Sequence, residues 1–314
     1  NILQHAGLNV RIGSLLPEIT APTPLDLPDG QRLVLEPLKR LGRDGRRLGL
    51  DGFDPCAILL NNDLSAGVPE LLLNLHEQFV IPPLWAGWHV RRKSAHFAAY
   101  RDVAQLFARE LGIDPWLIDP DFEVCNKINF HERVGEECLA GSVDKLLNRM
   151  RLKYKEYGIT DEPFVIVKAD AGTYGMGIMT VKDASEVKQL NRKQRNKMAV
   201  VKEGLQVTDV IIQEGVPTVE RVDEGTAEPV VYMLDRYVVG GFYRVNATRG
   251  TDENLNAPGM HFKPLAFATG CSLPDARMAP DAPANRFYAY GVVARLALVA
   301  ASVELERAAP AEVA

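Results

Sequence analysis

The chain has 314 residues, 46% hydrophobic and 25% charged, which suits a globular protein of two or three lobes and excludes a disordered or fibrous chain. A formal net charge of −5 argues against a dedicated nucleic-acid binder, whose phosphate contacts demand a surplus of Lys and Arg.

The opening NILQHAGLNVRIGSL reads as a helix tail, a Gly stop and a strand over Val10 to Leu15, and a helix tail implies chain before Asn1. From Leu25 to Leu50, alternating segments parted by PDG and RDG turns predict short hairpin strands. FDPCAILLNNDLSAG then gives a buried strand over Cys56 to Leu60 and a polar loop, with VPELLLNLHEQF as a short helix. Strand, polar loop and helix form the unit of an open α/β sheet, which binds ligands beyond the carboxyl ends of its strands. Asn61, Asn62 and Asp63 therefore have two readings, a substrate contact or a plain turn.

After Pro82-Pro83 a helix is expected, capped near Ser94, with Phe97, Tyr100, Ala104, Phe107 and Leu111 on one face and Gly112 and Pro115 as its stop. Apolar strands over Phe164 to Val167 and Ile178 to Val181 flank a glycine loop. Asp183 and Glu186 form a capping box for a basic helix carrying Lys188, Arg192, Lys193, Arg195 and Lys197. A strand over Val210 to Gln213 follows, then a hairpin of Val230 to Leu234 and Val238 to Tyr243, and last a helix over about Arg286 to Glu306. The apolar stretch Val292 to Ala301 is interrupted by Arg295 and falls short of the ~20 residues that span a bilayer, so no membrane anchor is expected. Cys56, Cys125, Cys138 and Cys271 contain no CxxC pair and fit a reducing cytoplasm; the histidines show no HExxH spacing.

The chemistry concentrates in FVIVKADAGTYGMGIMTVKD. A buried strand delivers Lys168 just before a loop containing Gly172, Thr173, Tyr174, Gly175 and Gly177. Glycines let backbone N–H groups turn toward phosphate oxygens, and a lysine ending an apolar strand is costly unless an anion neutralises it. A strand follows this loop, which excludes both the dinucleotide fingerprint and the P-loop. VIIQEGVPTVE then places Gln213 and Glu214 at a strand end, where the backbone of Glu214 and Val216 can pair with an adenine edge or simply enter a loop. Glu228 and Arg244 fall on the hairpin, and Arg244 among apolar residues calls for an anionic partner such as phosphate. In DENLNAPGMHF, Asn254 and Asn256 are expected on one strand face beside Glu253, an oxygen-donor set suited to Mg²⁺ or a polar loop.

The order of Lys93, Lys168, glycine loop, Gln213-Glu214, Arg244 and Asn pair resembles the ATP-grasp fold. KADAGTYGMGIM, LLNNDLSAG and NLNAPGMHF resemble the proteobacterial glutamate-cysteine ligase family from about Val10 to about Leu265. That resemblance implies an α/β fold: a Rossmann-like N-terminal substrate domain over 1–90 and an ATP-grasp region over 91–314, with a flap subdomain at about 150–212 and a C-terminal lobe at about 213–306. It implies that Lys93 and Lys168 hold ATP phosphates and that Gly172 to Gly177 cover them. Gln213, Glu214, Val216 and Glu228 would hold adenosine, and Arg244 the transferred phosphoryl group. With ATP and Mg²⁺, such an enzyme joins glutamate to cysteine through an acyl phosphate, the first step of glutathione biosynthesis in the cytoplasm. Related glutathione synthetases carry Glu-x-Asn where this chain has Asn254-x-Asn256. A glutathione synthetase-like ligase and a non-catalytic nucleotide-binding module are the alternatives.

Overall fold

The computed structural model describes every residue except 1, 6, 28–29, 63, 65–66, 76–77, 89, 172–176, 201–205, 265–285 and 311–314. It is a mixed α/β chain that divides into two units, Asn1–Val90 and Arg91–Ala314.

The first unit holds helix α1 (Ile2–His5) and strands β1 (Ile12–Ser14), β2 (Thr23–Asp26), β3 (Arg32–Pro37), β4 (Lys39–Leu41), β5 (Arg47–Gly49), β6 (Ala57–Leu59) and β7 (Phe79–Ile81). β2 and β4 pair antiparallel with β3 and β5, as the turn-rich sequence predicts, while β1 joins β3 and β6 joins β7 in parallel. The helix expected after β6 is reduced to a 3₁₀ turn, Glu70–Leu72. Its chain turns extended at Leu73 and left-handed at Asn74. Leu72 packs with Leu48 and Leu64, and Leu71 and Leu75 lie partly buried against them.

The second unit begins with α2 (Lys93–Leu111), β8 (Phe122–Cys125) and α3 (Glu136–Tyr157), followed by β9 (Val165–Ala169), β10 (Ile178–Val181), α4 (Ala184–Lys188), α5 (Arg192–Ala199) and β11 (Val210–Glu214). The four strands form an antiparallel sheet in the order β10-β9-β11-β8. α3 has no counterpart among the elements expected from sequence. Yet Leu139, Val143, Leu146, Leu147, Met150 and Tyr154 recur at helical spacing and are all buried. Each such large apolar side chain contributes about 1.5–3 kcal/mol on burial. They pack on Val165, Val167, Val210 and Ile212, so α3 covers one face of the sheet. The single basic helix expected from Asp183 is two. Asn191 and Gln194 form a second capping box beside the expected Asp183/Glu186 one, which restarts the helix.

Strands β12 (Glu220–Val222), β13 (Gly225–Leu234), β14 (Tyr237–Asn246) and β15 (His261–Pro264) make a second antiparallel sheet in chain order, and α6 (Arg286–Ala308) follows. The β13–β14 hairpin turns at Asp235, whose φ is +52°. Leu296 and Ala300 of α6 pack on Ala99, Tyr100 and Ala104 of α2. Beside this seam the buried Glu304 carboxylate bonds Arg91 at 2.6 and 2.8 Å and His96 at 3.0 Å. Burial pushes that carboxyl up, but Arg91 and His96 hold it below its ordinary value. Among the described residues no helix is long and apolar enough to cross a membrane.

Candidate active site

Strand alternation sorts the first sheet's side chains. Val165, Val167, Val210 and Ile212 face α3, so the register puts Lys168, Ile166, Ile178, Thr180, Ile211 and Gln213 on the opposite face. The beginning of α2 meets that second face. Phe97 lies 6.0 Å from the Phe122 ring, and the Lys168 ammonium sits 5.6 Å over Phe97.

Lys93 is the first residue of α2, and its Nζ donates to the carbonyls of Ala169 at 2.7 Å and Asp170 at 3.4 Å. Two lysines from distant segments thus meet at the end of β9. Burial, then the charge of Lys93, lowers the Lys168 ammonium to about 8. Burial also lowers Lys93, against the opposing pull of Asp170. Among the described residues the Lys168 ammonium has no hydrogen bond or ion pair, only the Phe97 ring. A half-buried cation in that condition is a receptor for an anion.

Beyond β9, Gly172, Thr173, Tyr174 and Gly175 lie outside the described residues. Gly177 closes the loop with φ +62° and accepts the Ala169 N–H at 3.2 Å. Gln213 shares the Lys168 face, whereas Glu214 points to the α3 face. There its buried carboxylate accepts Trp116 Nε1 at 2.9 Å and the Asp121 N–H at 3.0 Å, while burial raises its pKa. The Glu214 N–H is also taken, by the Asp121 carbonyl at 2.8 Å. Gly215 follows where a Cβ would overlap the Phe164 ring and carbonyl, so glycine is required. Val216 is 69% exposed and makes no hydrogen bond among the described residues.

A cavity of about 420 Å³ borders this hinge, lined by Glu214, Trp116, Arg101, Asp119, Asp121 and Arg149 among others. Its arginines are already matched: Arg101 pairs with Asp119 and Asp121, and Arg149 with Asp121 and Glu123. None of Lys93, Lys168 and Arg244 lines it, so it is separate from the lysine face.

On the second sheet Glu228 and Arg244 are register partners, joined from Oε1 to Nη1 at 2.5 Å. Among the described residues, Arg244 Nε is buried without a hydrogen-bond partner. Val230 and Phe242 continue the same face, where Phe242 meets Phe262 edge-on at 5.0 Å.

The loop after β14 comes to the lysine face of the first sheet. Thr180 Oγ1, on that face, donates to the Asp252 carbonyl at 3.2 Å, and Lys182 pairs with the Asp252 carboxylate at 2.8 Å. The strand expected for Asn254 and Asn256 is a turn-rich loop instead, since the Asn254 carboxamide accepts the Asn256 N–H at 3.0 Å. Glu253 is held by Arg249 at 2.7 Å and by the Gly250 N–H at 2.7 Å. Among the described residues no three His, Cys, Asp or Glu side chains gather as a metal-holding group. In the first unit, Asn62 accepts the Leu64 N–H at 2.8 Å, a turn contact; Asn61 is exposed and Asp63 lies outside the described residues.

Sequence reasoning missed Asp170 and took Ser94 for the cap of α2. The Asp170 carboxylate accepts the Ser94 N–H at 2.8 Å and the Ser94 hydroxyl at 2.7 Å, so Ser94 is a donor in the first turn and not the cap. Only the position of Asp170 two residues after Lys168 hinted at it. The structure also brings the free thiols of Cys125 and Cys138 to 3.4 Å, although 13 positions separate them.

No curated protein matches the chain. A solved structure does, that of a "Putative gamma-glutamylcysteine synthetase" from Methylobacillus flagellatus KT, at 63% identity and a TM-score of 0.87 over 98% of this chain and 72% of that one. The family model described as glutamate-cysteine ligase, GshA, matches residues 1–305, and the chain belongs to that family of enzymes.

Proposed function

We propose that this chain is an ATP-dependent ligase of the ATP-grasp kind, joining the γ-carboxylate of glutamate to the amine of cysteine to give γ-glutamylcysteine. The observation that carries the nucleotide part is Lys168, a half-buried cation lacking an anion among the described residues, with Lys93 beside it and a glycine loop next in the chain. The family supports the product.

In this reading Lys93 and Lys168 neutralise the ATP phosphates, while residues 172–177 cover them and exclude water. Gln213, on the lysine face, and the main chain of Val216 hold the adenosine with Glu228. Glu214 serves the hinge through its contacts with Trp116 and Asp121, since both its carboxylate and its N–H are engaged there. Arg244, with one buried N–H unspent, meets the transferred phosphoryl group. A γ-carboxylate oxygen attacks the γ-phosphorus and ADP leaves. The amine nitrogen then attacks the acyl carbon, expels phosphate and loses a proton. The first unit, with Asn61, Asn62 and Asp63, is assigned to the amino-acid substrates.

Mg²⁺ enters with ATP as part of the substrate. The expected donors Glu253, Asn254 and Asn256 do not fit a ready-made site, because Glu253 is spent on Arg249 and Gly250 and Asn254 on Asn256.

Hydroxylamine tests the intermediate. With ATP, Mg²⁺ and glutamate but no cysteine, the protein should yield γ-glutamyl hydroxamate and ADP in equal amounts. ADP formation with cysteine present but no hydroxamate in its absence would contradict an acyl phosphate formed before amine binding.

A further inference from the structure

We infer that Asp170 is a positioning residue that seats Lys93 beside Lys168 by capping α2 from 76 positions away. This rests on the proposed phosphate-binding role of the two lysines.

A helix begins with N–H groups that need acceptors. The residue at the N-cap of α2 is Arg92, which carries only donors, and its side chain makes no capping bond. Asp170 supplies what the local sequence lacks. Its carbonyl accepts the Lys93 N–H at 2.9 Å, one carboxylate oxygen accepts the Ser94 N–H, and the other accepts the Ser94 hydroxyl. The side chain is buried, with Asp170 4% exposed, so these bonds compete little with water. Its own N–H donates to the Asp209 carbonyl at 3.0 Å, which fixes Asp170 against the start of β11.

The consequence falls on the ammonium of Lys93. That group bonds the carbonyls of Ala169 and Asp170, the two residues that directly follow Lys168. The positive end of α2 is thereby occupied by a protein carboxylate and is not open to phosphate. What α2 offers a nucleotide is the Lys93 side chain, at a place set by Asp170. The start of α2 and the lysine pair therefore share one anchor.

The experiment combines a double-mutant cycle with lysine labelling. Calorimetry would measure MgADP affinity in the wild type, Asp170→Asn, Lys93→Ala and the double variant. Trace acetic anhydride with mass spectrometry would report the acylation rate of Lys93 without nucleotide. We expect Asp170→Asn to weaken MgADP about tenfold, to speed Lys93 acylation, and to add nothing in the Lys93→Ala background. A residue of merely structural importance would weaken binding equally in both backgrounds, and that result overturns the inference. So does an unchanged Lys93 acylation rate. Should Lys93→Ala and Lys168→Ala both bind MgADP like wild type while Asp170→Asn still exposes Lys93, the nucleotide reading falls and the positioning stands. Ser94→Ala, which removes one donor, carries the same cycle if Asp170→Asn fails to fold.

Discussion

The end of β9 and the loop after β14 both hold charged residues that sequence assigns to ATP chemistry, but their charges are settled differently. At the loop, Glu253 has Arg249 and Asp252 has Lys182. At β9, Lys168 has an aromatic ring and a second lysine nearby, and no anion among the described residues. A charge satisfied by a neighbour is explained by the fold, whereas a buried one left unsatisfied opposes folding and calls for a ligand. The lysine face is therefore the stronger part of the site, and the loop's carboxylates are the weaker.

Removing Lys168 should sharpen that contrast most. Lys168→Met is expected to weaken MgATP binding by about one to two decades, the worth of a charge-assisted contact. The ligand-free protein should melt higher, because charging a lysine lowered from 10.5 to about 8 costs on the order of 3 kcal/mol. Calorimetry and thermal melts would check both halves; a variant that binds MgATP like wild type contradicts the assignment.

The pH dependence follows with its sign. The folded state binds fewer protons at Lys168 than the unfolded chain between about pH 8 and 10.5, so this group's penalty is complete below about pH 8 and fades as pH rises through that window. The stability gap between Lys168→Met and wild type should shrink from pH 7.5 toward pH 10, as denaturant titrations would show. Phosphate favours the charged lysine, so nucleotide affinity should fall above about pH 8 and binding there should take up protons. A gap that stays constant across the window would mean that Lys168 titrates normally.

The smallest effect is expected at the loop. Glu253→Ala should change turnover and the Mg²⁺ concentration for half-maximal activity by less than about twofold, since an exposed pair such as Arg249–Glu253 contributes about 1 kcal/mol or less to stability. A large rise in the Mg²⁺ requirement would show that Glu253 leaves Arg249 to bind the ion, and would erase the contrast.

What the sequence revealed was local. Apolar runs predicted β9, β10 and β11, the Asp183/Glu186 spacing a helix start, and the 228–244 segment a hairpin, whereas the pairing of Glu228 with Arg244 came only with the strand register. Contacts between distant segments were not legible. Nothing near Arg92 shows that Asp170 caps α2, and Gln213-Glu214 reads as one polar pair until the neighbouring strands fix its faces. The Asn254-x-Asn256 alternation suits a strand or a turn, and a side-chain bond to the backbone selects the turn. In the first unit the leucines of VPELLLNLHEQF suggest helical spacing, but Leu72 is buried from a 3₁₀ turn.

The central claim, that phosphoryl transfer is coupled to joining glutamate and cysteine, is tested most directly by ADP release from MgATP with each amino acid alone and with both. Rapid ADP and phosphate release is expected with both, at most slow release with glutamate alone, and background with cysteine alone, because the lysines neutralise charge but turnover needs both an acceptor carboxylate and an amine. Faster release with γ-glutamylcysteine and glycine than with glutamate and cysteine would contradict the assigned substrates.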